Sequence, residues 1–98
     1  MADFVFEAEI IHWRGPAPFF FLPLPPEVVE DVRQASRQVS YGWGMIPVDI
    51  VIGGIAFTTS LFPKDEGYLL PIKTSVRQKL EASAGDRLEV EMDIRPRR

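Results

Sequence analysis

Apolar and polar residues alternate most regularly near the two ends of the chain. Over residues 3–11 an apolar side chain stands at every second position from Phe4 to Ile10, and residues 87–94 repeat the pattern. A period of two is typical of a strand that buries one face. Both segments are therefore predicted to be half-buried strands, with mostly charged residues on the free face.

The middle of the chain contains three more strand-like runs, separated by turn residues. An alternating run ends at Gly53-Gly54, a pair that fits a two-residue hairpin turn because glycine tolerates positive φ. Residues 55–62 are predicted to be the return strand, residues 63–67 a turn, and residues 68–72 the next strand.

A run of three phenylalanines starts at Phe19 and continues through Leu22 to Pro23. Its length and continuous apolarity predict a short strand that is covered on both faces and ended by the proline. An exposed patch for a partner is the alternative interpretation of the same residues.

Two segments have helical spacing. Residues 26–37 begin with proline, carry an apolar stripe, and place acids near the start and arginines toward the end. This arrangement complements the helix dipole and predicts an amphipathic helix lying on the sheet. A second, short helix is predicted after Lys73, with Thr74 or Ser75 as its N-cap.

These elements predict a mainly β fold, a small barrel of about six or seven strands with one amphipathic helix and one short helix. A chain of 98 residues is expected to form one domain. We assign residues 1–94 to the barrel domain and residues 95–98, which include three arginines, to a basic C-terminal tail.

Composition and charge narrow the range of functions. The chain has no cysteine, which excludes disulfides and thiolate metal sites and is compatible with a reducing cytoplasm. A net charge of −3 does not indicate general attraction to nucleic acid or to anionic membranes. The most apolar window, residues 19–24, is too short to span a bilayer, and the N-terminus lacks the basic region of a signal peptide. We therefore expect a cytoplasmic protein with no membrane partner.

Sequence signatures of catalysis are weak. His12 is the single histidine and could serve as a general base, but a surface or structural role is the interpretation we favour. The carboxylates Glu7 and Glu9 lie on the free face of a strand, and Ser60 stands outside a nucleophile-elbow motif. Gly53-Gly54 lacks the flanking residues of a phosphate loop. No catalytic residue, metal site or cofactor is predicted.

Aromatic and basic residues in the second half of the chain are the candidates for binding. If they converge, they could hold an anionic ligand or a carboxylate through charge-assisted hydrogen bonds. In the alternative, structural interpretation, the tryptophan packs at the barrel mouth and the arginine pairs with a neighbouring acid. The candidate ligand-binding residues are Trp43, Ser60, Lys64, Tyr68, Lys73 and Arg77.

Short motifs from residue 21 to residue 86 form a pattern. They are Phe21-Leu22-Pro23, Pro26-Glu27, Trp43-Gly44, Ile46-Pro47-Val48, Gly53-Gly54, residues 59–64, residues 68–73, Val76-Arg77 and Gly85-Asp86. The pattern resembles a small bacterial and archaeal family of domains of unknown function. Some members, when fused to another domain, are labelled bacteriocin-protection or OmpD-associated proteins. The resemblance implies a double-split β-barrel and carries no established activity.

A second resemblance lies within the C-terminal half. Residues 70–73, Val76-Arg77, Leu80, Gly85-Asp86 and the final strand are similar to the swapped-hairpin DNA-binding domains of AbrB and MazE. That similarity implies dimerisation and DNA binding through basic residues.

Three hypotheses follow from the sequence. The first is a non-enzymatic binding or interaction module for a small anionic ligand or a protein partner. The second is a DNA-binding transcriptional regulator or antitoxin-like protein of the swapped-hairpin type. The third is a small enzyme that uses His12. We expect a monomer or a homodimer, and the DNA-binding hypothesis calls for the dimer.

Overall fold

A computed structural model of the chain describes residues 2–13, 19–35 and 44–95. This part of the chain is mainly β, as predicted, with seven strands and two helices. The elements are β1 (Phe4–Glu9), β2 (Ile11–Trp13), β3 (Phe19–Pro23), α1 (Pro26–Ala35), β4 (Ile46–Ile52), β5 (Ile55–Lys64), β6 (Gly67–Ile72), α2 (Thr74–Leu80) and β7 (Arg87–Ile94).

The seven strands form one antiparallel sheet in the order β1-β7-β4-β5-β6-β3-β2. The two end strands, β1 and β2, are separated in sequence by Ile10 alone, so the sheet curls until its ends meet at this residue. The Ile10 N–H donates to the Asp86 carbonyl at 2.9 Å, and the Ile10 carbonyl accepts from the Gly85 N–H at 2.9 Å. The predicted barrel-like fold is confirmed.

Strand β5 links two halves of the sheet. Its residues 55–61 pair with β4, and its residues 62–64 pair with β6. The first half therefore contains β7, β4 and β1, and the second half contains β6, β3 and β2. Beyond the pair Phe62 and Leu69, β5 and β6 separate as each continues along a different neighbour. We call this gap the β5–β6 split.

The core is built by the alternation that the sequence shows. Phe6 and Ala8 of β1 and Val90 and Met92 of β7 are all buried, and Met92 is 0% exposed. Helix α1 buries valines on the side that packs against β6. Burial of a side chain of this size is worth about 1.5–3 kcal/mol, so the paired strands and the helix stabilise one shared core.

The hairpin at Gly53-Gly54 is also confirmed. The two residues have φ of 56° and 80°, and they join β4 and β5, whose end residues Ile52 and Ile55 are paired. Consecutive positive φ values are what the tight hairpin turn with the correct twist requires.

Three details of the predicted elements are wrong. Strand β2 was not expected. Strand β5 continues through Pro63 and Lys64, which were predicted to lie in a turn. Proline is tolerated there because β5 beyond Leu61 has a strand neighbour on one side only among the described residues. The N-cap of α2 is Lys73, not Thr74 or Ser75.

The phenylalanine run is less covered than predicted. Phe20 and Phe21 are half-buried, whereas Leu22 is fully buried. Strand β3 lies second from one end of the sheet order, and its next neighbour β2 is only three residues long. Two phenylalanines therefore keep part of their surface open.

Parts of other predictions fall outside the described residues. These are the last residues of the predicted helix 26–37, Trp43, and residues 96–98 of the predicted tail. Arg95, the first residue of that tail, donates its backbone N–H to the Pro47 carbonyl at 2.9 Å. Its side chain lies 3.5 Å from an Asp49 carboxylate oxygen. The division of the chain at residue 94 stays a prediction.

Candidate ligand-binding site

A cavity of about 520 Å³ lies at the β5–β6 split. Three strands and the start of α2 contribute to its walls. The lining residues are Phe20 and Phe21 of β3, Thr59 and Phe62 of β5, Pro71 and Ile72 of β6, and Lys73 and Thr74 at the start of α2. The volume falls within the range of roughly 300–1,000 Å³ that is typical of small-molecule sites.

The strand register explains why the cavity opens at this place. Phe20 lies opposite Ile72, and Phe21 lies opposite Pro71. Neighbouring residues of a strand point to opposite faces, so both faces of the sheet contribute to one cavity wall. That arrangement requires a gap in the sheet, and the β5–β6 split provides it.

Aromatic rings dominate the cavity wall. The rings of Phe21 and Phe62 meet edge to face, with centroids 6.4 Å apart and planes at 89°. Phe62 is 41% exposed, an unusual value for so large an apolar side chain. An exposed aromatic surface beside a cavity is a feature of binding sites.

Phe20 is held by two further groups. The Arg77 guanidinium carbon lies 4.0 Å from the Phe20 ring centroid, a distance typical of a cation–π contact. The His12 ring stacks on Phe20 with centroids 4.8 Å apart and planes 24° apart. These contacts fix the orientation of one wall of the cavity.

Arg77 is also tied to the end of its own helix. One terminal guanidinium nitrogen, Nη1, donates to the Ala82 carbonyl at 3.2 Å. The Nε atom is buried and has no hydrogen-bond partner among the residues that the structure describes. The Arg77 guanidinium therefore binds the backbone at Ala82 and also contacts Phe20 in the cavity wall.

A family model matches residues 6–92, which is most of the chain. The chain belongs to the family described as Domain of unknown function (DUF1905). The predicted resemblance to a family of domains of unknown function is thereby confirmed. No curated protein matches the chain. The DUF1905 match includes every residue that lines the cavity, but its description assigns no activity.

Two of the six predicted binding residues of this DUF1905 domain lie at the cavity. Lys73 lines it, and Arg77 contacts Phe20 in its wall. Tyr68 is 9% exposed and belongs to the hydrophobic core. Trp43 lies outside the described residues.

The other two predicted residues lie elsewhere on β5. Ser60 is paired with Pro47 and does not line the cavity, although its neighbour Thr59 does. Lys64 is exposed at the far end of the strand, opposite Gly67. Lys73 and Arg77 therefore both lie at the cavity, whereas Lys64 lies next to the β5–β6 turn.

The sequence interpretation missed the aromatic residues of the site. Phe20 and Phe21 were assigned to a strand covered on both faces, and Phe62 was assigned to the return strand without a role in binding. The exposed-patch alternative for the phenylalanine run is closer to what is observed. The available signal was a continuous aromatic run that ends in proline, since proline confines a strand to an edge or an end.

The described residues that line the cavity include neither a histidine nor a carboxylate. Glu7, on the free face of β1, lies 3.5 Å from the Arg87 guanidinium, and both side chains are largely exposed. Among the described residues, no group of three or more histidine, aspartate or glutamate side chains is placed to hold a metal ion.

Neither described helix has the length and apolarity needed to cross a membrane.

Charge is unevenly distributed over the described surface. Two like-charged pairs lie directly opposite each other in the first half of the sheet, Glu7 with Glu89 and Asp49 with Asp93. Bases lie on α2 and at its start, where Lys73 and Lys79 are exposed. One of these exposed lysines, Lys73, lines the cavity.

Proposed function

We propose that this chain is a non-enzymatic binding module that takes a small amphipathic anion in the cavity at the β5–β6 split. The observation that carries the proposal is the lining itself. Of the eight lining residues that the structure describes, five are apolar, two are threonines, and the remaining one is the cation Lys73. A ligand that matches these walls has a mainly apolar body and one negative group.

The position of Lys73 supports a functional role. It is the N-cap of α2, with extended backbone (φ −70°, ψ 148°), and it makes no side-chain capping hydrogen bond. Serine, threonine, aspartate and asparagine are the residues that stabilise this position. A residue that departs from a local stability rule is expected mainly at functional sites, and an exposed ammonium can bind a carboxylate through a charge-assisted hydrogen bond.

Pro71 favours a compact ligand over an added peptide strand. Strand addition at a sheet edge depends on backbone N–H and C=O groups of that edge. Proline has no N–H, and Pro71 is one of the two β6 residues that line the cavity at the split. Proline at an exposed edge is a known protection against strand pairing. The apolar side chains are therefore the better attachment surface.

A ligand titration followed by backbone NMR shifts and by thermal melting tests the proposal. Small organic anions are expected to perturb the amides of residues 20–21, 59–62 and 72–74 and to raise the melting temperature. A ligand present at 100 times its Kd stabilises the folded state by about 2.7 kcal/mol. The variant Lys73→Gln should weaken this effect, whereas Lys79→Gln, which removes an equivalent charge from the same helix, should not.

Two results would contradict the proposal. One is a screen in which no small anion perturbs these amides. The other is binding that Lys73→Gln and Lys79→Gln weaken to the same degree, because the cavity would then have no special role.

The DNA-binding regulator remains an alternative hypothesis and supplies a second arm of the experiment. The exposed bases of α2 support it, and the acidic pairs of the first half of the sheet oppose it. Duplex DNA at low salt should then bind with an affinity that falls steeply as salt is added, and Lys79→Gln should weaken binding as much as Lys73→Gln.

The finer classification of the domain is also a proposal. The chain passes from one half of the sheet to the other between β1 and β2, at Ile10, and within β5, after Leu61, and both passages support a double-split barrel. The lack of cysteine supports a cytoplasmic location. An enzyme using His12 is the least supported alternative, because His12 contacts Phe20 but is not part of the cavity lining.

A further inference from the structure

We infer that the ligand class of this cavity is aromatic monocarboxylates, with the ring against the phenylalanine wall and the carboxylate on Lys73. This inference rests on the proposed function and narrows it. Among the described residues that line the cavity, the one charged side chain is that of Lys73, which matches a ligand with one negative group. A second negative group would have to be desolvated with no further cation from the described lining to pair with it.

The wall favours a flat ring over a flexible alkyl chain. Phe21 and Phe62 already form an edge-to-face pair, which presents one ring face and one ring edge at right angles. Aromatic rings gain attraction from offset or edge-to-face packing beyond the burial of their area. A rigid ring also loses less conformational freedom on binding than an alkyl chain with many rotatable bonds.

Arg77 acts in this scheme as a positioning residue. Its guanidinium lies over Phe20, and its hydrogen bond to the Ala82 carbonyl holds it there. Because Phe20 lines the cavity, the contact sets the shape of the aromatic wall. Arg77 therefore affects every ligand that uses this wall, whereas Lys73 affects the ligands that carry a negative charge.

Four matched probes separate these roles: 2-naphthoate, its neutral isostere 2-naphthamide, the cation 2-naphthylmethylammonium, and the aliphatic monoanion decanoate. Titrations monitored by NMR shifts give a Kd for each probe. We expect 2-naphthoate to bind at least about ten-fold more tightly than 2-naphthamide and 2-naphthylmethylammonium, since a charge-assisted hydrogen bond contributes about ten-fold or more in affinity. Decanoate carries the same carboxylate and is expected to bind more weakly than 2-naphthoate because it lacks the ring and loses more conformational freedom on binding.

Variants of Lys73 and Arg77 test the role of each residue in binding. Lys73→Gln should weaken 2-naphthoate about ten-fold and leave 2-naphthamide unchanged. Arg77→Gln should weaken both probes, and Arg77→Lys, which keeps a cation beside Phe20, should restore most of the loss. Melting temperatures of the free variants show whether each remains folded, and Arg77→Lys keeps the test decisive if Arg77→Gln does not fold.

The outcomes distinguish this inference from the proposed function. Decanoate binding in the cavity as tightly as 2-naphthoate overturns the aromatic class but leaves an anion-binding module. Equal affinity for 2-naphthoate and 2-naphthamide overturns the role of Lys73. If no probe perturbs the cavity amides, both the inference and the proposed function fail.

Discussion

Individual residues in this domain show where conformational demands and packing demands differ. Gly53 and Gly54 both have positive φ, but their surroundings are unlike. A Cβ atom at Gly53 would lie 2.7 Å from Leu80 Cδ2, whereas a Cβ atom at Gly54 would have no heavy atom within 4 Å. Replacement by alanine therefore introduces backbone strain alone at Gly54, and backbone strain together with a steric conflict at Gly53.

Gly54→Ala is expected to cost about 1–2 kcal/mol, because an L-residue resists the left-handed region. Gly53→Ala is expected to cost about 1 kcal/mol more, because Leu80 must also shift. Urea unfolding of the two variants measures the difference. A Gly54→Ala loss equal to that of Gly53→Ala would show that Leu80 moves aside without cost.

Lys73 is the residue at which stability and the proposed function conflict. Lys73→Asn should stabilise the domain by about 0.5–1 kcal/mol, because asparagine supplies the N-cap acceptor that α2 lacks. The same variant should lose affinity for small anions. Urea unfolding beside a 2-naphthoate titration tests both effects. An unchanged free energy of unfolding in Lys73→Asn would show that lysine at the N-cap does not destabilise α2.

At the scale of elements, β1 and β7 form an uninterrupted antiparallel pair. Six residue pairs run from Phe4 with Met92 to Glu9 with Arg87. The inner face is buried, while the outer face places Glu7 directly opposite Glu89. Like charges at such positions are destabilising. The ion pair from Arg87 to Glu7 is exposed and offsets little of that cost.

Glu89→Lys should therefore stabilise the domain by about 0.2–1 kcal/mol, because it converts a like-charged pair into an opposite-charged pair. The gain should shrink in 1 M salt, where the screening length is about 3 Å. Glu91→Lys is the matched control, since Glu91 lies opposite Val5 and Val51. Equal gains from both variants would point to net charge rather than to the pair.

At the scale of the whole molecule, the two halves of the sheet share strands and a core. The chain passes from one half to the other at Ile10 and within β5 at Leu61. Both residues are buried. Neither half can open without breaking the backbone hydrogen bonds or the packing at these two places, so we expect a single cooperative unit.

Native-state hydrogen exchange tests this expectation. The slowest amides of β7 in the first half and of β6 in the second should report the same opening free energy, equal to that of global unfolding. For a domain of this size that value is about 5–15 kcal/mol. A distinctly lower value for β6 would show that the second half opens independently.

Sequence pattern alone predicted the elements whose signals are local. The alternation of residues 87–94 gave the bounds of β7, and Gly53-Gly54 gave the hairpin. These features are encoded within a few neighbouring residues, because the period of a strand and the sign of φ do not depend on distant contacts.

Tertiary structure decided the neighbours of each strand and therefore the candidate site. Whether Phe20, Phe21 and Phe62 are covered depends on where β5 and β6 separate, and no local residue pattern records that point. Tyr68 and Lys73 illustrate the same limit, since two candidates five positions apart end in the core and at the cavity. Sequence by itself determined most of the strands and the Gly53-Gly54 hairpin. The pairing of distant strands decided which side chains face a cavity, because exposure is a property of the assembled sheet.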